Sequence, residues 1–181
     1  MTETPQSVLE FWFGELTPKQ WFVKDEALDR QIADRFSDLH LALSREVPDE
    51  WRASPEARLA RIIALDQFPR NIYRGSPLSF ATDGLALKAA KAAIAIGADA
   101  AVSEDRRIFF YMPFEHAENL DDQDRAVALC EALGNETYLD YARRHREVIE
   151  RFGRFPHRNA ILGRASTPEE EAYLAEPGAG F

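Results

Sequence analysis

Helical periodicity runs through almost the whole chain, and proline and glycine interrupt it at short intervals. After Asp25, for example, apolar residues recur at the three- and four-residue intervals of one helix face, at Leu28, Ile32, Phe36 and Leu39. No stretch alternates apolar and polar residues as a half-buried strand does. The pattern therefore predicts an all-α fold with no sheet.

Capping residues and helix breakers predict where the helices begin and end. Predicted starts are at Thr4, Thr17, Asp25, Ser54, Thr82, Ser103, Asn119 or Asp121, Glu136 and Thr167. Predicted ends are at Gly14, Arg45, Pro69, Gly97, Gly134 and Gly153, and Pro113 is predicted to interrupt a helix. These signals indicate about seven or eight helices with short connections, which favours antiparallel pairs.

A weak internal repeat accompanies this pattern. Gly97 and Gly134 each end a predicted helix, and each is followed by a helix with paired arginines, at 106–107 and at 143–144. A recurrence of helix pairs at this spacing is typical of a tetratricopeptide-like, right-handed helical stack. The Trp-Leu-Gly-Tyr consensus of those repeats is missing from the chain.

The chain has 181 residues, enough for one domain with a substantial core. We expect a single all-helical domain over residues 1–181, with a loosely held tail at about 175–181. No window approaches the length of apolar sequence that a transmembrane helix needs, so no contact with a membrane is predicted. The first residues lack the pattern of a signal peptide, and a cytoplasmic location is expected.

Charge and cysteine content exclude several kinds of site. The net charge of −9 argues against general nucleic-acid binding, which depends on a broad basic surface. The only cysteine, Cys130, excludes an intramolecular disulfide and a multi-cysteine metal cage, and its apolar neighbours favour a buried thiol. No metal and no other cofactor is predicted, and the sequence does not indicate an oligomeric state.

Basic residues are concentrated in one stretch of this acidic chain, Arg151–Arg164, which contains no acidic residue. A similar order of residues, Phe-Pro followed by Arg-Asn, occurs upstream in Gln67–Gly75. Because proline disfavours helix continuation, Pro69 and Pro156 are each predicted to stop a helix, which places the Arg-Asn pairs at helix exits. The candidate ligand-binding residues are Gln67, Arg70, Asn71, Arg74, Arg151, Arg154, His157, Arg158, Asn159 and Arg164.

Several segments of the chain resemble those of a known family. They read L-D-Q-F-P-R-N-I-Y-R-G from residue 65, Y-M-P-F-E-H-A-E from 111, R-F-G-R-F-P-H-R-N from 151 and I-L-G-R-A-S-T-P-E-E from 161. On these motifs nearly the whole chain resembles the uncharacterised bacterial family called domain of unknown function 924. The resemblance implies an all-helical fold similar to tetratricopeptide repeats, and it implies no activity. The chain departs from the family pattern at Ala117, where a serine is usual, which argues against a role for that hydroxyl here.

Arginine presents a planar fork that binds carboxylate or phosphate through two hydrogen bonds and keeps its charge. Arg70, Arg74, Arg154 and Arg158 would therefore form an anion site if they faced one cavity. The alternative is that these arginines pair with acidic residues of the chain and cap helix ends. The two interpretations are compatible, since a ligand can use the donors that remain.

Three further residues are candidates for catalysis: His116, Glu118 and Asp66. A histidine beside carboxylates can act as a general acid or base near neutral pH, and Glu118 or Asp66 would orient it. The same groups with His157 could instead hold a metal. The H-x-E spacing of His116 and Glu118 is diagnostic of neither role, and the H-E-x-x-H metal motif is absent from the sequence. A histidine that is simply hydrogen-bonded between packed helices is the third possibility.

Three functional hypotheses follow from these residues. The first is a helical scaffold that binds a small anionic molecule or an acidic peptide terminus without chemistry. The second is an enzyme acting on an anionic small molecule, with His116 as general acid or base and the arginines as the anion clamp. The third is a structural or assembly role in which the charged clusters are internal ion pairs.

Overall fold

The computed structural model describes residues 3–180, and every regular element in this part of the chain is helical. The α-helices are α1 (Pro5–Leu9), α2 (Glu26–Arg45), α3 (Pro55–Asp66), α4 (Phe68–Ile72), α5 (Asp83–Ile94), α6 (Glu104–Glu115), α7 (Leu120–Leu133), α8 (Glu136–Phe152) and α9 (Pro168–Leu174). A π-helical segment at Glu10–Glu15 and short 3-10 turns at Pro18–Trp21, Asp49–Arg52, Pro77–Phe80, Asp99–Ala101 and Pro156–Arg158 complete them. The prediction of an all-α chain without a sheet is confirmed for the described residues.

The chain forms two compact units. Within the described residues, the first unit comprises 3–74 and 78–113, and the second comprises 75–77 and 114–180. The prediction of a single domain over residues 1–181 stays a prediction, as does the loosely held tail, whose last residue, Phe181, lies outside the described residues. None of the helices in the described range has both the length and the apolar character needed to cross a membrane.

The core of the first unit is built around Phe68, at the first position of α4. Its side chain is 0% exposed and stacks on Phe36 of α2, with 4.5 Å between the ring centroids. The edges of Phe11 and Trp12 complete its surroundings, at 6.3 and 5.7 Å. Since buried aromatic rings contribute large apolar areas and favour tilted or offset contacts, this cluster joins α2 and α4 to the N-terminal segment.

Helices α7 and α8 form the frame of the second unit, where they pack against each other across a short connection. Gly134 ends α7 at φ 75°, a backbone conformation that side chains other than glycine rarely adopt. Asn135 then caps α8 through its side-chain oxygen, and Gly153 ends α8 at φ 69°. These ends are as predicted, and Gly153 leads the chain directly into the basic stretch.

The predicted effects of three prolines are wrong. Pro69 does not stop α3, which has already ended at Asp66; it lies in the first turn of α4. Pro156 likewise begins a 3-10 turn after Gly153 has ended α8. Both are tolerated because the first turn of a helix does not use the N–H group that proline lacks. Pro113 does not interrupt α6, which continues through it to Glu115.

Other boundaries also differ from the prediction. The first helix starts at the Thr4 cap but becomes π-helical from Glu10. Helix α5 ends at Ile94, three residues before Gly97. The Thr82 hydroxyl does not cap α5 but donates to the Leu65 carbonyl oxygen at 2.6 Å.

His40 of α2 is buried, at 5% exposure. Its Nε2 atom lies 3.1 Å from the Thr82 hydroxyl, and the Tyr73 hydroxyl lies 3.3 Å from its Nδ1 atom. Burial lowers the pKa of this imidazole. Two hydroxyl partners on separate elements therefore keep a polar ring in the core, which the local sequence does not reveal.

Replacing Phe68 by alanine should destabilise the protein by about 3–5 kcal/mol, because the change leaves a cavity among rings that cannot collapse onto it. Phe22→Ala is the matched control, since Phe22 is 56% exposed and its loss should change stability by no more than about 0.5 kcal/mol. Denaturant unfolding followed by circular dichroism measures both. Equal losses for the two variants would contradict a core centred on Phe68.

Candidate functional site

In the first unit, Arg70 lies on α4 and points back toward the end of α3. Its guanidinium donates to both carboxylate oxygens of Asp83, at 2.9 and 3.2 Å, and to the carbonyl oxygen of Asp66. The Asp66 carboxylate is 3.8 Å away and almost fully buried, and Gln67 donates to it at 2.6 Å. The candidate residues Asp66, Gln67 and Arg70 are therefore brought together as a compact network of hydrogen bonds and ion pairs.

Asn71 and Arg74 both bind Asp29 of α2. Arg74 donates to the two carboxylate oxygens at 2.6 and 2.8 Å, and the Asn71 amide donates to one of them at 2.8 Å. Burial of Asp29 opposes ionisation, but the hydrogen bonds from Arg74 and Asn71 outweigh it and hold the pKa of Asp29 below its ordinary value. This pair fastens the exit of α4 to α2.

In the second unit, Arg154 is engaged by protein acceptors. It donates to both carboxylate oxygens of Glu170, at 2.6 and 2.8 Å, and to the Ala165 carbonyl oxygen at 3.0 Å. These bonds from Arg154, together with one from the Thr167 backbone, lower the pKa of Glu170 to about 2. Glu170 also completes the Thr167 capping box that begins α9, as the sequence predicts.

Arg164 is engaged in the same way by Glu118. It donates to both Glu118 oxygens, at 2.7 and 2.9 Å, and also to the Phe155 carbonyl and the Asn159 side-chain oxygen. The Phe155 N–H donates to Glu118 as well, at 2.8 Å. Burial would raise the pKa of Glu118, but these bonds keep it below its ordinary value. Glu118 therefore orders the basic stretch and is hydrogen-bonded to no histidine within the described residues.

Arg151 and Arg158 have contrasting surroundings. Arg151 is exposed and forms one ion pair with the exposed Glu169, at 3.0 Å. Arg158 is only 7% exposed, and its guanidinium lies 4.7 Å from the centroid of the Phe155 ring. Cation–π contacts gain strength when the cation is withdrawn from water, so Arg158 is held in place by burial as well as by charge.

His145 and His157 lie beside the Phe155 ring, and His116 lies beside His145. The His145 ring lies 5.7 Å from Phe155 and 6.3 Å from His116, and Phe155 lies 5.5 Å from His157, measured between ring centroids. His145 is buried, and its Nδ1 atom donates to the Tyr141 carbonyl oxygen at 2.8 Å. A carbonyl oxygen only accepts, so the proton of the neutral ring is on Nδ1 and Nε2 is the basic nitrogen.

Burial lowers the pKa of His145 to about 3, and the positive groups His116, His157 and Arg158 act in the same direction. His145 is therefore neutral at physiological pH, and both basic groups and the buried Glu115 carboxylate, 3.9 Å from its Nδ1 atom, lie near it. The sequence prediction did not include it among the site residues. Its position on the apolar stripe of α8, between Ala142 and Val148, is the signal that could have identified it as buried.

Cys130 is buried, as predicted, and its thiol lies 3.5 Å from the Glu115 carboxylate. Burial and that negative charge raise the pKa of the thiol, which makes it unreactive. Gln123 donates to the carbonyl oxygens of Glu115 and Ala117 and so fixes the segment that carries His116. Within the described residues, no group of three or more His, Cys, Asp or Glu side chains is arranged to hold a metal ion.

Comparisons with known proteins support the assignment by motif. The family described as "Bacterial protein of unknown function (DUF924)" matches residues 8–178. A solved structure of a protein of unknown function from Agrobacterium tumefaciens is similar, with 49% sequence identity and a TM-score of 0.90. The match covers 94% of this chain and 96% of that chain. The comparison with curated proteins gives no match.

Glu170→Gln should remove a stabilisation that the wild type has only while Glu170 is ionised. The pKa of this carboxyl is about 2 in the folded protein and near 4.5 when unfolded, so its contribution is complete above pH 4.5 and is lost as the pH falls toward 2. Melting temperatures of the two proteins should differ most at pH 5–7 and converge near pH 2. Glu169→Gln is the control, since its exposed pair with Arg151 should add little at any pH. A difference between Glu170→Gln and the wild type that does not change with pH would contradict the pairing.

Proposed function

Because the chain belongs to the family described as bacterial protein of unknown function (DUF924), a description that names no activity, we propose its function from the geometry of the second unit. The protein binds a small anionic molecule through His116, His157 and Arg158. The observation that carries this proposal is their grouping around two buried rings: His157 and Arg158 lie 5.5 and 4.7 Å from the centroid of the Phe155 ring, and His116 lies 6.3 Å from the ring of His145.

Four of the arginines predicted to bind the anion form ion pairs within the protein. Arg70, Arg74, Arg154 and Arg164 direct their donors to carboxylates and so hold helix exits and the basic stretch in place. This supports a structural role for these four arginines. The ligand-binding role predicted for them and for Gln67, Asn71, Arg151 and Asn159 stays a prediction.

The basic group combines the permanent positive charge of Arg158 with imidazoles whose charge depends on pH. Arg158 keeps its charge at any physiological pH, and its fork suits a phosphate or a carboxylate. An anion among the imidazoles favours their protonated forms, so binding takes up protons. The ligand is therefore a phosphate or a dicarboxylate rather than a neutral metabolite. The tetratricopeptide-like stack and the cytoplasmic location stay predictions that accord with this role.

Arg158→Gln should abolish the thermal stabilisation that phosphate or succinate gives to the wild type. Arg151→Gln is the matched control, because it removes the same charge from an exposed residue of the same stretch and should leave the stabilisation intact. Melting temperatures are measured by differential scanning fluorimetry at constant ionic strength. A peptide with a free acidic C-terminus, added in a parallel series, tests the other source of a carboxylate.

A second measurement covers the case in which Arg158→Gln is too unstable to test. Histidine side-chain NMR on the wild type should show the imidazole titrations moving to higher pH when phosphate is added. No stabilisation by any of these anions, together with unchanged histidine titrations, would exclude the proposed site.

An enzyme acting on an anionic small molecule is the second candidate, and the position of His116 favours it, since its ring lies 6.3 Å from that of the neutral, buried His145, within the same group as Arg158. The predicted role of Glu118 in orienting His116 has no support in the geometry, since Arg164 and Phe155 engage that carboxylate. His116 stays the proposed general acid or base.

Under the enzyme hypothesis, His116→Ala should remove turnover of an anionic substrate, whereas stabilisation by phosphate should be reduced but still measurable. The physical reason is that Arg158 supplies most of the charge for binding, whereas only an imidazole transfers the proton. Turnover is followed by NMR of a phosphate-ester and dicarboxylate mixture incubated with each protein. If the wild type converts nothing and still binds phosphate, the scaffold hypothesis stands alone.

A further inference from the structure

In the second unit, the segment that follows α9, residues 176–180, lies against His157 and is called the strap below. A β-carbon built at Gly180 would be 3.2 Å from the Cβ atom of His157, 3.5 Å from its Cγ and 3.8 Å from its Nδ1. At the other glycines of the described residues, a β-carbon would come within 4 Å of no other part of the chain. Gly180 is therefore in unusually close contact with one edge of a ring that belongs to the proposed anion site.

Glycine is required at this point of the strap for two reasons. The φ angle of Gly180 is 85°, which side chains rarely adopt and which β-branched side chains disfavour most. The close contact with His157 also leaves no room for a side chain. Gly178, with φ 80°, is a second such position two residues earlier. The sequence therefore lets the backbone of the strap, rather than a side chain, cover His157.

The contacts of His157 explain why the strap controls access to it. Its ring lies 5.5 Å from that of Phe155, which is fully buried and cannot move aside without opening the core of the unit. Its Nδ1 atom is enclosed, and Gly180 lies on this edge of the ring. An anion that binds at this edge of His157 must therefore displace the strap.

The strap is held at its end by a weak contact. The Gly180 N–H donates to the Tyr173 hydroxyl at 3.4 Å, which is long for a hydrogen bond of this kind. Residues 176–178 are exposed, so moving them uncovers little apolar surface. Tyr173 is fixed more firmly, because its ring packs on Phe152 with 5.2 Å between the centroids. The strap can therefore open while the residue that anchors it stays in place.

We propose that the strap is a lid over His157, and that a phosphate or carboxylate displaces it when it binds to the group of His116, His157 and Arg158. The strap and the anion compete for one edge of His157, so each weakens the binding of the other by the same factor. The affinity of the protein for the anion is then reduced by the fraction of molecules in which the strap is closed. This inference rests on the proposed function and adds a control of access to the same site.

Gly180→Val should open the strap and tighten the binding of inorganic phosphate by about fivefold or more, because a β-branched residue is strained at this φ and collides with His157. Gly97→Val is the matched control. Gly97 has a similar φ of 73°, but it lies in the first unit and its β-position is open, so this variant should bind phosphate as the wild type does. Isothermal titration at constant ionic strength measures all three affinities.

Tyr173→Phe is a milder variant that keeps the test decisive if Gly180→Val does not fold. It removes the hydroxyl that accepts from Gly180 and keeps the ring on Phe152, so phosphate should bind about two- to fivefold more tightly than to the wild type. In the wild type, ¹⁵N relaxation should show the Gly180 amide becoming more mobile when phosphate is added, since a displaced strap loses its contacts.

The outcomes distinguish this proposal from the proposed function. Equal or weaker phosphate binding by the Gly180 and Tyr173 variants, or a Gly180 amide that keeps its mobility at saturating phosphate, would overturn the lid and leave the anion site standing. Absence of phosphate binding in the wild type and in both variants would overturn the anion site and the lid together. Binding by the variants that exceeds that of the wild type supports both.

Discussion

Ion pairs between guanidinium groups and buried or half-buried carboxylates hold the non-helical parts of this protein in place. The stretch after α8 contains few residues that could form a core of its own, and two carboxylates organise it. Glu118 binds Arg164 and the Phe155 backbone, while Glu170 binds Arg154 and caps α9. Removing one member of such a pair leaves the other charge without its partner in a partly dry environment, so each pair acts as a unit. These bonds act together with the apolar packing of Phe155, which is fully buried in a cluster with Val148 and Ile149.

The same pairing separates structural arginines from candidates for binding. An arginine that already donates two hydrogen bonds to a protein carboxylate has fewer donors left for an anionic ligand. Arg74, which binds both carboxylate oxygens of Asp29, is the clearest case. Arg158 has different surroundings, since it is only 7% exposed and its guanidinium lies 4.7 Å from the centroid of the Phe155 ring.

Local signals in the sequence predicted much of the fold. They did not predict which residues far apart in the chain pair with each other. Helix ends at Gly134 and Gly153 follow from backbone preferences of single residues, so they could be located correctly. Pro69 was misplaced because proline is compatible with the start of a helix as well as with its end. The choice of Asp29 as the partner of Arg74 depends on a contact between residues 45 positions apart, which no local pattern encodes. For the same reason the sequence showed which basic residues cluster along the chain and not which are paired.

The proposed site combines two kinds of basic side chain, and this combination makes its affinity for an anion depend on pH. Arginine stays protonated throughout the physiological range, so Arg158 supplies a constant charge. Imidazole is the side chain whose ordinary pKa lies in that range, and a bound anion favours its protonated form. We therefore expect anion binding at His116, His157 and Arg158 to weaken as the pH rises. A site that gains and loses protons suits release of the anion or proton transfer, so this is the part of the described structure where chemistry is expected.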